Sequence, residues 1–307
     1  MKEQRINIAC NIDSNYVKYC IVMLTSLIEN NKDSLFNIHI ITDDLSDNDK
    51  SMIDKIVKNR YHQEINYYHI DKDLIKDCII DKESHISIAT YYRIFLESIL
   101  DESIDKLIYL DCDLVIVGSI IDLWNTDISN YAVGCIEDMW SGKDDNYTRL
   151  NYDKSFSYFN AGVLLINLKY LRFIRFQDNA IAFINKNSHK LLFNDQDVLN
   201  ALLHDKKLLL PFRYNLQDGF YRIKRRIMPS SEEELNKEIN HPVIVHYTGS
   251  KKPWNYKSQH PLRSDYFKYL DMTPWNGERP HKPLSYIFIC LINTLLTKLN
   301  IIKKKYR

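Results

Sequence analysis

Two aspartates separated by one residue close the apolar run Leu107-Ile108-Tyr109-Leu110-Asp111-Cys112-Asp113. In an extended strand, side chains two apart emerge on the same face, so Asp111 and Asp113 would present neighbouring carboxylates where the chain leaves a core. Neighbouring anions call for a cation, and a divalent ion held there can also screen the oxygens of a diphosphate. That combination suits an enzyme that uses a sugar nucleotide. The same spacing recurs at Asp47/Asp49, Asp71/Asp73 and Asp195/Asp197. The first two pairs lie in polar surroundings and read as solvated charge. Only Asp111/Asp113 stands between two apolar runs, the second being Leu114-Val115-Ile116-Val117.

A third metal donor is offered by His246, which follows Val243-Ile244-Val245. An imidazole beside two carboxylates favours a borderline transition ion such as Mn²⁺, with the all-oxygen ion Mg²⁺ as the alternative. Gly249 permits close backbone approach, and Lys252 is within reach of a phosphate bound there.

These side chains need a scaffold, and the hydrophobic pattern supplies one. Residues 6–10, 36–42 and 65–70 read as strands, 19–30 as a helix, and Ser46 with Asp49 as the start of a helix running to about 58. Residues 88–100 read as a helix leading into the strand that ends at Asp111. Further on, 132–136, 162–168 and 243–247 read as strands, and 174–185 and 197–204 as helices. Strands alternating with helices imply an α/β fold, a mostly parallel central sheet flanked by helices, with ligands gathering beyond the carboxyl ends of the strands.

Composition removes several classes. The 41 basic and 40 acidic side chains give a net charge of +1, which offers no general attraction for nucleic acid. The seven glycines form no glycine-rich phosphate loop, so dinucleotide and P-loop readings lack their backbone. Cys10, Cys20, Cys78, Cys112, Cys135 and Cys290 are widely spaced and read as reduced thiols of a cytoplasmic protein. No signal peptide is expected ahead of Ile6, which already belongs to a strand-like run. The last segment, 281–307, is basic and free of acids. On a helix, Phe288, Leu291, Ile292, Leu295, Leu299 and Ile302 would share one face, and its uninterrupted apolar stretch is too short to span a bilayer. It is expected to attach to an anionic membrane surface.

The chain resembles glycosyltransferase family 8, the retaining enzymes typified by lipopolysaccharide α-galactosyl- and α-glucosyltransferases. The resemblance is carried by Ile8-Ala9-Cys10-Asn11-Ile12-Asp13-Ser14-Asn15-Tyr16, His85-Ile86-Ser87-Ile88-Ala89-Thr90-Tyr91-Tyr92-Arg93 and Leu110-Asp111-Cys112-Asp113. Phe159-Asn160-Ala161-Gly162-Val163-Leu164-Leu165-Ile166-Asn167, Asn194-Asp195-Gln196-Asp197-Val198-Leu199-Asn200 and the stretch from His246-Tyr247 to Pro253-Trp254 follow in family order. The resemblance implies a GT-A-type catalytic domain over 1–255, a connecting segment over 256–280 and the tail over 281–307. It implies Asp111, Asp113 and His246 as metal ligands. The donor-binding residues it implies are Ala9, Asn11, Tyr16, Arg93, Asp111, Cys112, Asn160, Ala161, Gly249 and Lys252. Asp195 and Gln196 fall where the family surrounds the donor sugar. Gln196 would steady a cationic sugar during same-face attack, with Asp195 the alternative as a nucleophile.

The expected activity is metal-dependent transfer of glucose or galactose from a UDP-sugar to a lipopolysaccharide or other surface glycan. The acceptor would be lipid-linked and the protein peripheral on the inner face of the cell membrane. A protein or soluble-sugar acceptor, and a non-catalytic sugar-nucleotide-binding protein, are the competing readings. Two segments fit the family poorly, 137–158 and 213–240. Their Trp140, Tyr147, Arg149, Tyr214 and Tyr221 are read as acceptor-binding, with Asp138 the expected acceptor contact.

Overall fold

A computed structural model of the protein describes residues 5–71, 88–299, 301, 303 and 306. Cys78, the His85-Ile86-Ser87 start of one motif, and Asn300, Ile302, Lys304, Lys305 and Arg307 of the tail lie outside the described residues. Short apolar runs build the strands β1 (Ile6–Asn11), β2 (Phe36–Thr42), β3 (Glu64–His69), β4 (Lys106–Leu110), β5 (Leu114–Ile116), β6 (Val133–Glu137), β7 (Phe159–Asn167), β8 (Lys207–Leu209), β9 (Leu216–Gln217) and β10 (Ile244–His246). They form a seven-stranded sheet in the order β3-β2-β1-β4-β7-β6-β8 and a three-stranded sheet in the order β5-β10-β9.

The large sheet is parallel from β3 through β4, and β6 is parallel to β8; β7 runs antiparallel to both its neighbours. Each face carries its own apolar layer. Ile8, Cys10, Ile38, Ile40, Ile108 and Leu110 pack on one side with the helix Val17–Glu29, while Ala9, Ile41, Leu107 and Tyr109 pack on the other with Phe95, Val198 and Leu199. The alternation along β1 and β4 is therefore a sorting between two buried faces.

Local chemistry sets several boundaries. Ser46 and Asp49 make the expected reciprocal cap, with the Asp49 N–H donating to Ser46 Oγ at 3.2 Å and the Ser46 N–H donating to Asp49 Oδ2 at 3.0 Å. The helix they start runs Asp47–Asp54 and then widens into a π-helical turn over Lys55–Arg60. The strand expected to reach Leu168 stops at Asn167, whose side chain accepts the Tyr170 N–H and starts the helix Leu168–Phe173.

A larger departure is Ile88–Phe95, a tight 3₁₀ run followed by the short helix Leu96–Ile99. The tighter winding lets Arg93 Nε donate to Thr90 O one turn back, and it buries Arg93 with Tyr91, Tyr92 and Phe95. Beyond the sheets, the helix Arg263–Leu270 buries Tyr266, Tyr269 and Leu270 against Val22, Val115 and Val245. The C-terminal helix Leu284–Lys298 buries no residue.

Candidate active site

Where the parallel strands end, a cleft of about 570 Å³ opens. Asn11, Tyr16, Arg93, Asp111, Cys112, Asp113, Asn160, Ala161, Asp195, Gln196, His246 and Lys252 line it. Ala9 and Gly249 are not among its lining residues. Ala9 is fully buried in the β-sheet core, and a Cβ on Gly249 would lie 3.3 Å from Asp218 Oδ2.

Strand pairing brings the distant metal candidates together. β10 runs antiparallel to β5 with His246 opposite Leu114, and the Tyr247 N–H donates to Asp113 O at 3.0 Å. The imidazole Nε2 then lies 3.0 Å from Asp113 Oδ1 and 3.9 Å from Asp111 Oδ2. One donor atom from each of the three side chains falls within 4.8 Å of the others. On its far side, His246 Nδ1 lies 2.9 Å from Asn215 Oδ1. An amide oxygen only accepts, so Nδ1 donates to Asn215 and Nε2 is the ring nitrogen turned to the two carboxylates, where a bound cation would take its lone pair.

Glycine supplies the space. A Cβ on Gly162 would come within 2.2 Å of His246 Cε1 and 2.7 Å of Asp111 Oδ2. Two carboxylates, one correctly oriented imidazole and this clearance fit a borderline divalent ion. Lys252 Nζ donates to Asp113 Oδ2 and to Tyr247 O, so a cationic side chain borders the same carboxylate. Burial pushes the Asp113 carboxyl up, but the charges of Lys252 and His246 outweigh it and hold it well below the usual carboxylate range.

The second wall of the cleft is organised by Arg93. Its Nη2 donates to Asp111 Oδ1 at 2.9 Å, its Nη1 donates to Ala161 O, and its guanidinium lies 4.4 Å over the Tyr109 ring. Asp195 Oδ2 is 2.8 Å from Arg93 Nε, whose N–H points instead at Thr90 O. Burial raises Asp195 to about 6 despite that cation. The i,i+4 partner Glu97 that a regular helix would have offered Arg93 accepts the Gln177 N–H instead, at 2.9 Å.

Gln196 sits in a buried amide network. Its Oε1 accepts from Ala161 N at 3.0 Å and Asn160 Nδ2 at 3.2 Å, and its Nε2 donates to Asp138 Oδ2 at 3.3 Å. Asn160 Nδ2 also donates to Asp138, and Asn160 Oδ1 accepts from Asn215 Nδ2 at 2.9 Å. Burial raises the Asp138 carboxyl, partly offset by the Asn160 amide and the Trp140 N–H. A continuous chain of hydrogen bonds thus joins His246, Asn215, Asn160, Asp138 and Gln196.

Asn215 and Gly162 were not singled out by sequence reasoning. Gly162 had a detectable signal, a lone glycine inside an apolar strand. Asn215 had none, because it lies in a segment that fits no motif. The aromatic residues expected to form acceptor platforms are corrected by burial. Tyr147 donates to Ser141 O at 2.6 Å, and Tyr214 and Tyr221 belong to the main core. Arg149 is engaged with Asp197, its Nη1 2.6 Å from Oδ2 and its Nη2 3.0 Å from Oδ1. Of the named aromatics, Trp140 alone stays half-exposed, with Lys143 and Arg226 over its ring.

Residues 7–258 match the family model described as glycosyl transferase family 8. The chain is 30% identical to general stress protein A of Bacillus subtilis over 282 residues, covering 90% of this chain and 96% of that protein. It is also 30% identical to an Escherichia coli lipopolysaccharide 1,2-glucosyltransferase over 287 residues, covering 90% of this chain and 81% of that enzyme. Among solved structures, the galactosyltransferase LgtC in complex with donor and acceptor sugar analogues shares the fold, with a TM-score of 0.80. It is 23% identical, with 92% of this chain and 99% of LgtC covered.

Proposed function

The chain belongs to glycosyl transferase family 8, and we propose that this glycosyltransferase is a metal-dependent, retaining hexosyltransferase that moves glucose or galactose from a UDP-sugar to a lipopolysaccharide or other surface glycan. The observation that carries the reading is the convergence of Asp111, Asp113 and His246 on one point beside Lys252. Those three residues would hold Mn²⁺, or Mg²⁺ in its place. When bound, the ion supplies Lewis-acid stabilisation of the diphosphate.

The chain's own residues divide the remaining work. Asn11 and Tyr16 border the end of the cleft where the uracil and ribose would sit, and Lys252 is placed to transfer its charge from Asp113 to a departing phosphate. Arg93 orients Asp195 and Asp111 and presents part of its guanidinium to the sugar hydroxyls. Both acceptor sites of Gln196 Oε1 are occupied by Ala161 N and Asn160 Nδ2, which favours a positioning role over attack on the anomeric carbon. Retention then proceeds by same-face attack of the acceptor hydroxyl, with Asp195 as the alternative nucleophile. Asp138 is buried behind Gln196, accepting from its Nε2, and is not itself among the residues that line the cleft; in this reading it is the acceptor contact.

The tail supports a lipid-linked acceptor and a peripheral place on the inner membrane face. Leu284, Phe288, Leu291, Leu295 and Leu299 fall at helical spacing, and each is 57% or more exposed. Lys298 and Lys303 add cationic charge near the C-terminal end of that stripe. Among the described residues no helix is long and apolar enough to cross a membrane. In this reading residues 1–255 carry the chemistry, 256–280 connect, and 281–307 lie on anionic lipid.

The test is UDP release from UDP-glucose and UDP-galactose, with and without Mn²⁺, followed by mass analysis of the glycan product. Mn²⁺-dependent release with one donor is expected. Tight UDP binding without turnover on any donor or acceptor would replace the proposal with a sugar-nucleotide-binding protein. Deleting 281–307 is expected to release the protein from anionic vesicles while sparing UDP-sugar hydrolysis, and unchanged vesicle binding would remove the membrane role.

A further inference from the structure

We propose that Cys10, Cys20 and Cys112 form a second site, one that takes a single thiophilic ion of the trivalent arsenic class on the inner side of the Asp111–Asp113 link. The thiols come from three different elements: β1, the helix Val17–Glu29 and the turn between β4 and β5. Cys112 alternates with the two aspartates, so its thiol turns toward the core while their carboxylates serve the cleft.

One Sγ from each cysteine lies within 4.8 Å of the others, and the Cys10–Cys20 separation is 3.9 Å. An ion bonded to three sulfurs at about 2.3 Å spaces them about 3.5–4 Å apart, so the triangle closes with shifts below about 1 Å. A closed zinc site needs a fourth ligand, and among the described residues this cluster contains only the three thiols.

Charge selects among soft ions. The three cysteines belong to an apolar core, with Cys10 and Cys20 fully buried, where uncompensated charge is costly. Three thiolates around a monovalent or divalent ion would leave a net negative unit just behind two carboxylates. Around a trivalent centre they leave a neutral one. The reaction balances without an oxidant: arsenous acid loses three As–O bonds, the thiols lose three S–H bonds, and three As–S bonds and three waters form. Arsenous acid is itself neutral, so it reaches these buried thiols without shedding a charge's hydration.

The experiment is arsenite titration of the reduced full-length protein under anaerobic conditions, read by native mass spectrometry and by thiol counting after unfolding. Wild type is expected to bind one arsenic and to fall from six reactive thiols to three. Cys20→Ala and Cys20→Ser, each checked for a native melting transition, should weaken binding at least about 100-fold, the scale of losing one arm of a multivalent contact. Cys135→Ala, which removes a buried thiol outside the cluster, should leave it unchanged. Absence of uptake by folded wild type, or uptake undiminished in both Cys20 variants, overturns the site. Cadmium binding as tight as arsenite binding overturns the choice of a trivalent centre.

Discussion

The same three-residue spacing, Asp-x-Asp, occurs at 111–113 and at 195–197, and the two copies do different things. At 111–113 the backbone is leaving a strand, so both carboxylates face the same cleft and share one imidazole. At 195–197 the residues lie in the first turn of the helix Asn194–Leu203, where positions two apart point to opposite sides. Asp195 reaches the cleft and Arg93. Asp197 turns away into a closed socket formed by Arg149, Tyr158 and the N–H groups of Leu192 and Phe193. A spacing acquires chemical meaning only once the backbone conformation is known, and conformation alone separates a cation site from a structural anchor.

Substitutions that swap a carboxylate for its amide break that contrast most directly. Asp111→Asn removes a metal donor and one partner of Arg93 while preserving shape, so metal-dependent UDP release should fall on the order of 10²–10³-fold with little change in melting temperature. Unchanged turnover would show that the strand-end pair holds no catalytic cation. Asp197→Asn should do the reverse. The carboxylate is fully buried and Arg149 is nearly so, and breaking such a pair costs about 3–5 kcal/mol, measurable as a lower denaturant midpoint. Protein that remains folded should keep its donor affinity; a selective loss of turnover at unchanged stability would make Asp197 a site residue after all.

The legible parts of the molecule were those in which one local signal sufficed. Apolar runs located β1, β2, β4 and β10 to within a residue or two, and the Ser46/Asp49 pair located a helix start. Ordered motifs brought together side chains as distant as Asp111 and His246. Short elements such as Asp144–Leu150 and Glu232–Glu238 escaped because two turns of helix carry little periodicity. The tyrosines of 137–158 and 213–240 misled for a different reason. A phenol is compatible with solvent or with a core that satisfies its hydroxyl, and Tyr147 takes the second course through Ser141 O. Asn215 was invisible because its importance lies wholly in its neighbours.

Asn215 offers a subtler test of the strand-end site. In Asn215→Leu the imidazole loses the acceptor that fixes its tautomer, and Asn160 loses a donor. Metal affinity should weaken about 10–100-fold while Asp111 and Asp113 remain intact, as read by the Mn²⁺ concentration needed for half-maximal turnover. An unshifted Mn²⁺ requirement would mean that His246 does not ligate.

The smallest effect separates the two copies by pH in the metal-free protein. Asp195 binds its proton up to about 6 when folded, whereas an unfolded aspartate releases it near 3.8. Between those values the folded state holds more protons, so this group's contribution to stability declines as pH rises through 6. His39 and His260, both lowered to about 4 by burial, act in the opposite sense, because the unfolded state takes up protons first as pH falls below 6.5. Their contribution is common to wild type and Asp195→Asn and cancels in the difference. With EDTA present, the variant should therefore gain stability relative to wild type on the order of 1 kcal/mol between pH 4.5 and 7. Denaturant midpoints across that range measure it. A flat difference would mean that Arg93 neutralises Asp195 fully and keeps it ionised across the range.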